Sequence, residues 1–246
     1  MTKRQRREQS EEEFLAGYDA STFERLSVAV DVVLLSAFQG ELWTLVLRRP
    51  GHPLRGRYAL PGGFVGLRES LDDAARRVLQ AKGGIERVYL EQLYTFGAPR
   101  RDPRTRVISV AYYALVPRDR LPASGAAGLA RIHVPWEGET GGPVEVQADG
   151  SELPLAFDHA DILGMAVKRL RGKLDYSPIG FQLLAETFTL LELQRVHETV
   201  LQQPLNKDSF RRRMLASGQL EATGEAQQGV DHRPAELYRF VRRSAV

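Results

Sequence analysis

The chain reads as an α+β protein in which a mixed β-sheet and helix sandwich is followed by a winged helix-turn-helix domain. Three features predict this. Two Val- and Leu-rich segments, Leu26 to Ala37 and Leu42 to Arg48, flank the turn signal Gln39-Gly40-Glu41 and form a hairpin. An amphipathic segment framed by further strand-like runs comes next. Pro178 then marks a change to helical patterns that end in two short strand-like pieces. The expected units are an N-terminal extension over 1–22, the sandwich over 23–175 and the winged helix over 176–246.

In the first half, a Gly- and Pro-rich loop runs from Pro50 to Gly63, and Ser70 opens a helix whose Leu71, Ala74, Ala75, Val78 and Leu79 share one face. Gly83-Gly84 ends it. Strands are expected over Val88 to Phe96 and Val107 to Val116, joined by the charged loop Arg100 to Arg106. Weak patterning from Gly125 to Gly150 predicts an irregular loop, and a helix follows from Asp161 to Arg171 with Asp158 as a suitable N-cap. Beyond Pro178, helical patterns cover Gln182 to Glu186, Leu190 to Gln202 and Asn206 to Ala216.

Composition narrows the class. With 246 residues, 43% of them apolar and 26% charged, the chain can fold two ordinary domains. The absence of cysteine excludes disulfides, thiolate zinc sites and thiol nucleophiles. The longest apolar run, Val28 to Phe38, is broken by Asp31 and is far shorter than the roughly 20 residues a membrane helix needs. No membrane partner is expected. The N-terminal basic residues lead into Glu11, Glu12 and Glu13 rather than an apolar stretch, so a cytoplasmic location is expected. A net charge of +3 permits nucleic-acid binding without requiring it.

The segment GFVGLRESLDDAARRVLQAKGGI, Gly63 to Ile85, resembles the Nudix box, and the sandwich is therefore expected to be of Nudix type. Gly63, Glu69, Arg77, Leu79, Gly84 and Ile85 match the pattern, and Leu60-Pro61-Gly62-Gly63-Phe64 resembles the loop that enters it. The three box glutamates are replaced by Val78, Ala81 and Lys82. Carboxylates at i, i+3 and i+4 share one helix face and can together hold magnesium beside a diphosphate; an apolar and cationic face cannot. No metal, no cofactor and no ordinary Nudix hydrolysis are expected. Asp72 and Asp73 lie more than a turn from the lost positions, and Asp73 is expected to pair with Arg77.

Candidate effector contacts are Arg48, Arg57, Gly62, Gly63, Phe64, Glu69, Lys82, Phe96, Arg101, Asp102 and His159. Guanidinium groups suit bidentate contact with a diphosphate, and the Lys82 ammonium can attract it directly. For any one arginine the alternative is a solvated loop cation, and for His159 a satisfied structural histidine.

The tail supplies a second constellation. Thr189 can cap a helix buried through Leu190, Leu193, Val196 and Val200; Pro204-Leu205 turns the chain, and Asn206 caps KDSFRRRML. Phe210 and Met214 face a core, Arg212 lies nearly opposite Phe210, and Leu215 implies a buried or distorted last turn. Two strand-like pieces, Leu220 to Thr223 and Ala235 to Phe240, enclose a polar loop whose His232 and Arg233 suit a wing. Candidate DNA contacts are Thr189, Lys207, Ser209, Arg211, Arg212, Arg213, His232 and Arg233. From Leu205 onward eight Lys or Arg face five Asp or Glu, so charge alone leaves a small dimerisation subdomain open.

Taken with the box, the phrases QLYTFG, RVISVAY, AFDHADIL, FRRRMLASGQLEATGE and GVDHRPAELYRF resemble the Nudix-related transcriptional regulators of NAD metabolism. The resemblance implies a homodimer on a palindromic double-stranded DNA operator and repression of genes for NAD synthesis or salvage. It also implies ADP-ribose or a related nucleotide as an effector that releases DNA. The competing expectation is an ADP-ribose pyrophosphatase with an accessory C-terminal domain, which Glu69 favours and the lost glutamates oppose.

Overall fold

The first strand, β1 (Ser27–Phe38), is buried on both faces over most of its length, and a strand of that kind requires cover on both sides. The computed structural model describes residues 10–121, 128–135, 144–174, 176–229, 231 and 233–241. Ahead of β1, helix α1 (Glu11–Gly17) is closed by a Ser10–Glu13 capping box and buries none of its residues. Gln39 and Gly40, both at positive φ, turn β1 into β2 (Glu41–Leu45). The short strands β3 (Leu47–Arg48) and β4 (Tyr58–Ala59) form a separate ribbon, while β5 (Gly62–Phe64) runs antiparallel to β1.

Helix α2 (Leu71–Gly83) begins at Ser70, whose hydroxyl accepts the Asp73 N–H, and ends at Gly84 in the left-handed conformation. Strands β6 (Tyr89–Phe96) and β7 (Val107–Leu115) follow as expected, with β7 parallel to β1. The remaining strands of the sheet are β8 (Leu129–His133), β9 (Glu145–Ala148) and β10 (Ser151–Glu152). The sheet runs β10-β9-β8-β2-β1-β7-β6, with β5 also paired to β1. This corrects the irregular loop expected over Gly125 to Gly150. Leu129 to His133 alternates inward and outward and completes the edge of β2, a pairing its short Ala- and Gly-flanked pattern did not announce.

Val30, Val32 and Leu34 meet α2 through Ala74, Ala75, Val78 and Leu79 on one face. On the other, Val33, Leu35 and Ala37 meet Ile162, Leu163 and Leu170 of α3 (His159–Lys173) together with Val196 and Val200 of α4 (Leu190–Leu201). Asp158 stands at the start of α3 but makes no side-chain cap, because its carboxylate is held by Arg101. The helical pattern at Gln182 to Glu186 is also corrected: a 3₁₀ turn covers Pro178–Leu183, and β11 (Thr187–Phe188) then pairs with a later strand.

Thr189 and Glu192 form a capping box at the head of α4, and Asn206 caps α5 (Lys207–Ala216). Strands β12 (Leu220–Ala226) and β13 (Glu236–Phe240) complete a small sheet in the order β11-β13-β12. Strand β12 extends three residues beyond the expected end through a register shift between Ala222 and Ala226. Phe181, Phe188, Leu193, Phe210, Met214 and Tyr238 form the core of this unit. Leu215 is exposed rather than buried; α5 stays regular to Ala216 because Met214 already fills the inward position.

His197 of α4 lies against the Phe210 ring at 5.1 Å between centroids, and a Cβ at Gly180 would stand 2.9 Å from its Nε2. Burial, assisted by the Arg213 charge, lowers its pKa to about 4. Unfolding therefore takes up a proton between the ordinary imidazole range and pH 4, so stability falls as pH is lowered through that window, by up to about 1.4 kcal/mol per pH unit. Urea unfolding between pH 7 and pH 4 should show this slope in the unsubstituted chain and a flatter one in His197→Leu.

Candidate functional site

The only acid within the apolar β1, Asp31, is buried at the centre of a polar cluster. Ser109 Oγ of β7 donates to its Oδ2 at 2.6 Å, and Arg101 Nη2, from the β6–β7 loop, donates to the same oxygen at 3.3 Å. The guanidinium also grips Asp158, Nε to Oδ2 at 2.8 Å and Nη2 to Oδ1 at 2.6 Å. Burial opposes the Arg101 charge, but the Asp158 hydrogen bonds and the two nearby carboxylates more than offset it, so its pKa moves upward. His159 accepts the Leu60 N–H on Nδ1 at 2.9 Å and turns Nε2 toward Asp31 Oδ1 at 3.7 Å. Accepting on Nδ1 requires the neutral ring, and burial lowers its pKa accordingly.

The entry loop closes over this cluster because it is glycine. A Cβ at Gly62 would collide with Asp31 Oδ1, and one at Gly63 would stand 3.2 Å from Val78 Cγ2. Lys82 turns its ammonium to the Gly62 carbonyl oxygen. Burial lowers its pKa, Asp31 works in the opposite direction, and Arg49 and Arg77 add to the lowering. Thus Gly62, Gly63, Lys82, Arg101 and His159 meet around one carboxylate that the sequence reading treated only as a break in a strand.

Glu69 has a different place. It accepts from the Gly66 N–H at 2.6 Å and from Arg77, Nε at 2.9 Å, while Arg77 also reaches the Phe64 carbonyl at 3.1 Å. The expected Asp73–Arg77 pair is therefore corrected: Asp73 takes the Ser70 hydroxyl at 2.7 Å and Arg76 at 3.4 Å, leaving Arg77 to close the box loop. The magnesium that the Nudix fold implies does not fit the donors present. Val78 is buried, Ala81 offers no ligand and Lys82 brings a cation; among the described residues no group of three or more metal-type side chains converges.

Around the cluster, Asp102 is buried and holds Arg104 through bonds of 3.0 and 2.7 Å, and Arg104 lies 5.9 Å from the Phe64 ring centre. Phe96 sits opposite Ser109 in register, with Tyr94 edge-on at 5.4 Å. Arg48 and Arg57 are exposed on the β3–β4 side, where Arg57 reaches the Leu155 carbonyl at 3.3 Å. Asp31, Ser109 and the anchoring role of Asp158 were not foreseen from the sequence, whereas Arg104 belongs to the cation-rich loop that was. The one advance signal was an aspartate inside an apolar run. A separate cleft of about 1490 Å³ lies between the β1–β2 turn and α4.

On the second unit, α5 exposes Lys207, Ser209, Arg211, Arg212 and Arg213 beside Asp208, while Phe210 and Met214 are buried. Arg233 is exposed in the loop between β12 and β13; His232 lies outside the described residues. Thr189 is corrected as a surface contact. It is buried, and its hydroxyl accepts the Glu192 N–H at 3.1 Å and donates to the Glu192 carboxylate at 2.9 Å.

Residues 25–131 match the NUDIX domain, and residues 180–240 match the NrtR DNA-binding winged helix domain. The ADPR responsive transcriptional repressor NtrR of Acinetobacter baylyi is 38% identical over 233 residues, covering 94% of this chain and 88% of that protein. The chain belongs to the NrtR family. Shewanella oneidensis NrtR, solved in complex with a 27mer DNA, superposes with a TM-score of 0.72 at 34% identity, covering 87% of this chain and 93% of its own. The NUDIX domain of that NrtR, solved with ADP ribose, gives 0.51 at 33% identity over 65% of this chain and 99% of its own. The family resemblance and the fold class read from the sequence both hold.

In this NrtR-family chain Arg101 is the cation between two acids, with its side chain 6% exposed. Arg101→Met leaves Asp31 and Asp158 facing each other uncompensated and should cost about 3–5 kcal/mol of stability in urea unfolding. Arg239→Met, which breaks the half-exposed pair with Glu221, should cost under about 1 kcal/mol. Equal losses for the two would show that the Asp31 cluster is not an anchor.

Proposed function

We propose that the chain is a transcriptional repressor whose sandwich senses ADP-ribose, or a closely related nucleotide, and lets go of its operator when the nucleotide binds. The observation that carries this reading is the covalent union of two things. One is a Nudix sandwich with Val78, Ala81 and Lys82 in place of its box glutamates, and the other is a winged helix with a basic, exposed α5. A site of this kind is suited to hold a diphosphate rather than to hydrolyse it, since water activation and leaving-group neutralisation both rest on the metal. The relatives support the pairing. One is named for its response to ADPR, and another has been solved with DNA and, as its NUDIX domain, with ADP ribose.

In this reading the sandwich over 23–175 is the sensor and 176–246 the DNA reader. The effector lies over the Gly62–Gly63 loop, where Lys82 supplies the positive charge, with Arg48, Arg57, Phe64 and Phe96 bordering it. Glu69, Asp102 and His159 hold the loops in place from beneath, and the Arg101 guanidinium, at the edge of the cluster, is the group an incoming diphosphate draws on. Two copies form a homodimer in the cytoplasm and place their α5 helices in successive major grooves of a palindromic operator, about 34–36 Å apart. The genes controlled are those of NAD synthesis or salvage.

The test is a titration of a labelled operator fragment, recovered by selection from genomic DNA, at fixed salt with and without ADP-ribose. Operator affinity should fall when ADP-ribose is present, and phosphorus NMR should find the nucleotide intact after incubation with magnesium. Magnesium-dependent turnover lost in Glu69→Gln would instead support a pyrophosphatase.

On the operator, Arg212→Ala should cost about 1–3 kcal/mol and relax preference at one base pair, because a guanidinium opposite the buried Phe210 is the one aimed at base edges. Arg233→Ala should weaken binding in a manner that depends on A·T content near the wing. Full-strength binding after both substitutions would exclude this orientation of the winged helix.

A further inference from the structure

Helix α3 is fifteen residues long, about 22 Å, and each of its ends is fastened to a different functional unit. At its start, Asp158 is gripped by Arg101 and His159 accepts the Leu60 N–H, so both loops of the Asp31 cluster hold this end. At its far end the buried Arg171 donates from Nε to the Val200 carbonyl at 2.9 Å, and from Nη2 to the Val134 carbonyl at 2.7 Å and Gln202 Oε1 at 2.9 Å. Val200 lies in the last turn of α4, and Gln202 is its left-handed C-cap. One guanidinium therefore joins the sandwich helix, the end of β8 and the end of the first helix of the winged unit.

From that joint the connection continues into α5. Glu198 of α4 accepts the Leu205 N–H at 2.9 Å and the Gln194 amide at 2.9 Å, and Gln194 also donates to the Leu205 carbonyl at 3.2 Å. Asn206 follows at once as the cap of α5. The side-chain hydrogen bonds that brace the turn come from α4, so the position of α4 helps set the direction of α5 alongside the packing of Phe210 and Met214.

We infer that α3 is the element that couples the effector site to the recognition helix, and that Arg171 is the positioning residue that transmits it. The inference rests on the sensor reading above and adds to it the regulation of that site. An anionic nucleotide arriving at the cluster competes with Asp158 for the Arg101 guanidinium, which changes the hold on the start of α3. Interior packing transmits such a change as a shift of the whole helix rather than dispersing it, because close-packed side chains have little room to yield. Arg171 then carries the shift to the end of α4, and α5 turns relative to its partner in the dimer. Coupling of this kind needs an element whose arrangement both ligands bias, and α3 runs from the Asp31 cluster to the end of α4, whose side chains brace the turn into α5.

The experiment uses the full chain and measures two affinities, ADP-ribose by calorimetry and the selected operator duplex at fixed salt, each with and without the other ligand. The unsubstituted chain should show reciprocal weakening in the usual range of about 5–150-fold. In Arg171→Met and in Gln202→Ala each separate affinity should persist while the factor linking them collapses toward one, and Arg171→Lys should restore part of it. Arg171→Met leaves buried carbonyls unpaired and is the variant at risk of not folding. Gln202→Ala removes two contacts at an exposed position, to Arg171 and to His133 Nδ1 at 3.3 Å, and keeps the test decisive. A coupling factor undiminished in Gln202→Ala and in the folded Arg171 variants overturns the role of the joint alone. Tight binding of both ligands by the unsubstituted chain with no mutual effect overturns the effector reading together with it.

Discussion

Strand β1 is apolar on both faces, and the rest of the architecture follows from the need to cover both. One face takes α2, which the Ser70 cap and Gly84 stop hold to the length that Ala74, Ala75, Val78 and Leu79 can bury. The other face is wider than α3 alone can cover, and Val196 and Val200 of α4 complete it. The first helix of the DNA-reading unit is thus also a wall of the sandwich. The sandwich core therefore reaches into the second unit through Val196 and Val200, while that unit keeps a core of its own around Phe181, Phe210 and Tyr238.

The single charged residue of that apolar strand is Asp31, and its burial dictates the chemistry around it. A carboxylate with this little exposure must be paired and hydrogen-bonded, and Ser109, Arg101 and the ammonium of Lys82 are drawn toward it. Arg101 brings Asp158 with it and so fixes where α3 begins. Lys82 stands where the box pattern has its last glutamate, and its ammonium rests on the Gly62 carbonyl. Val78, Ala81 and Lys82 in place of three carboxylates remove the oxygen donors that a hydrolase's magnesium requires and add one cation.

The parts of the fold legible in the sequence were those written in local chemistry. The Gln39-Gly40 turn, the caps at Ser70, Thr189 and Asn206, and the β-branched and aromatic run of Val107 to Leu115 are all decided by neighbours in the chain. What was not legible depends on partners far away in sequence. Leu129 to His133 becomes a strand because β2 offers an open edge, and Asp158 fails to cap α3 because Arg101, 57 residues earlier, takes its carboxylate. The site followed the same division. Its glycines and the Lys82 substitution were visible in a spaced motif, whereas Asp31, Ser109 and Arg171 gain their roles only when β1, β7, α3 and α4 are brought together.

The boundary between sensor and reader combines two kinds of contact with different physical consequences. The apolar contacts of Val196 and Val200 hold α4 against the sheet, and emptying them would cost several kcal/mol, as removal of buried side chains generally does. A regulatory coupling is typically only about 1–3 kcal/mol, so a switch that had to open that core would be too stiff for its ligand to throw. The amide-oxygen contacts of Arg171 are of the right size, since exchanging one hydrogen-bond partner for another costs a fraction of breaking a core. They are also directional, so a small displacement of α3 selects which carbonyl is engaged while the apolar packing stays closed. In the coupling inferred for α3, registry set by hydrogen bonds over a permanently buried seam would let the winged unit change its angle and remain attached throughout.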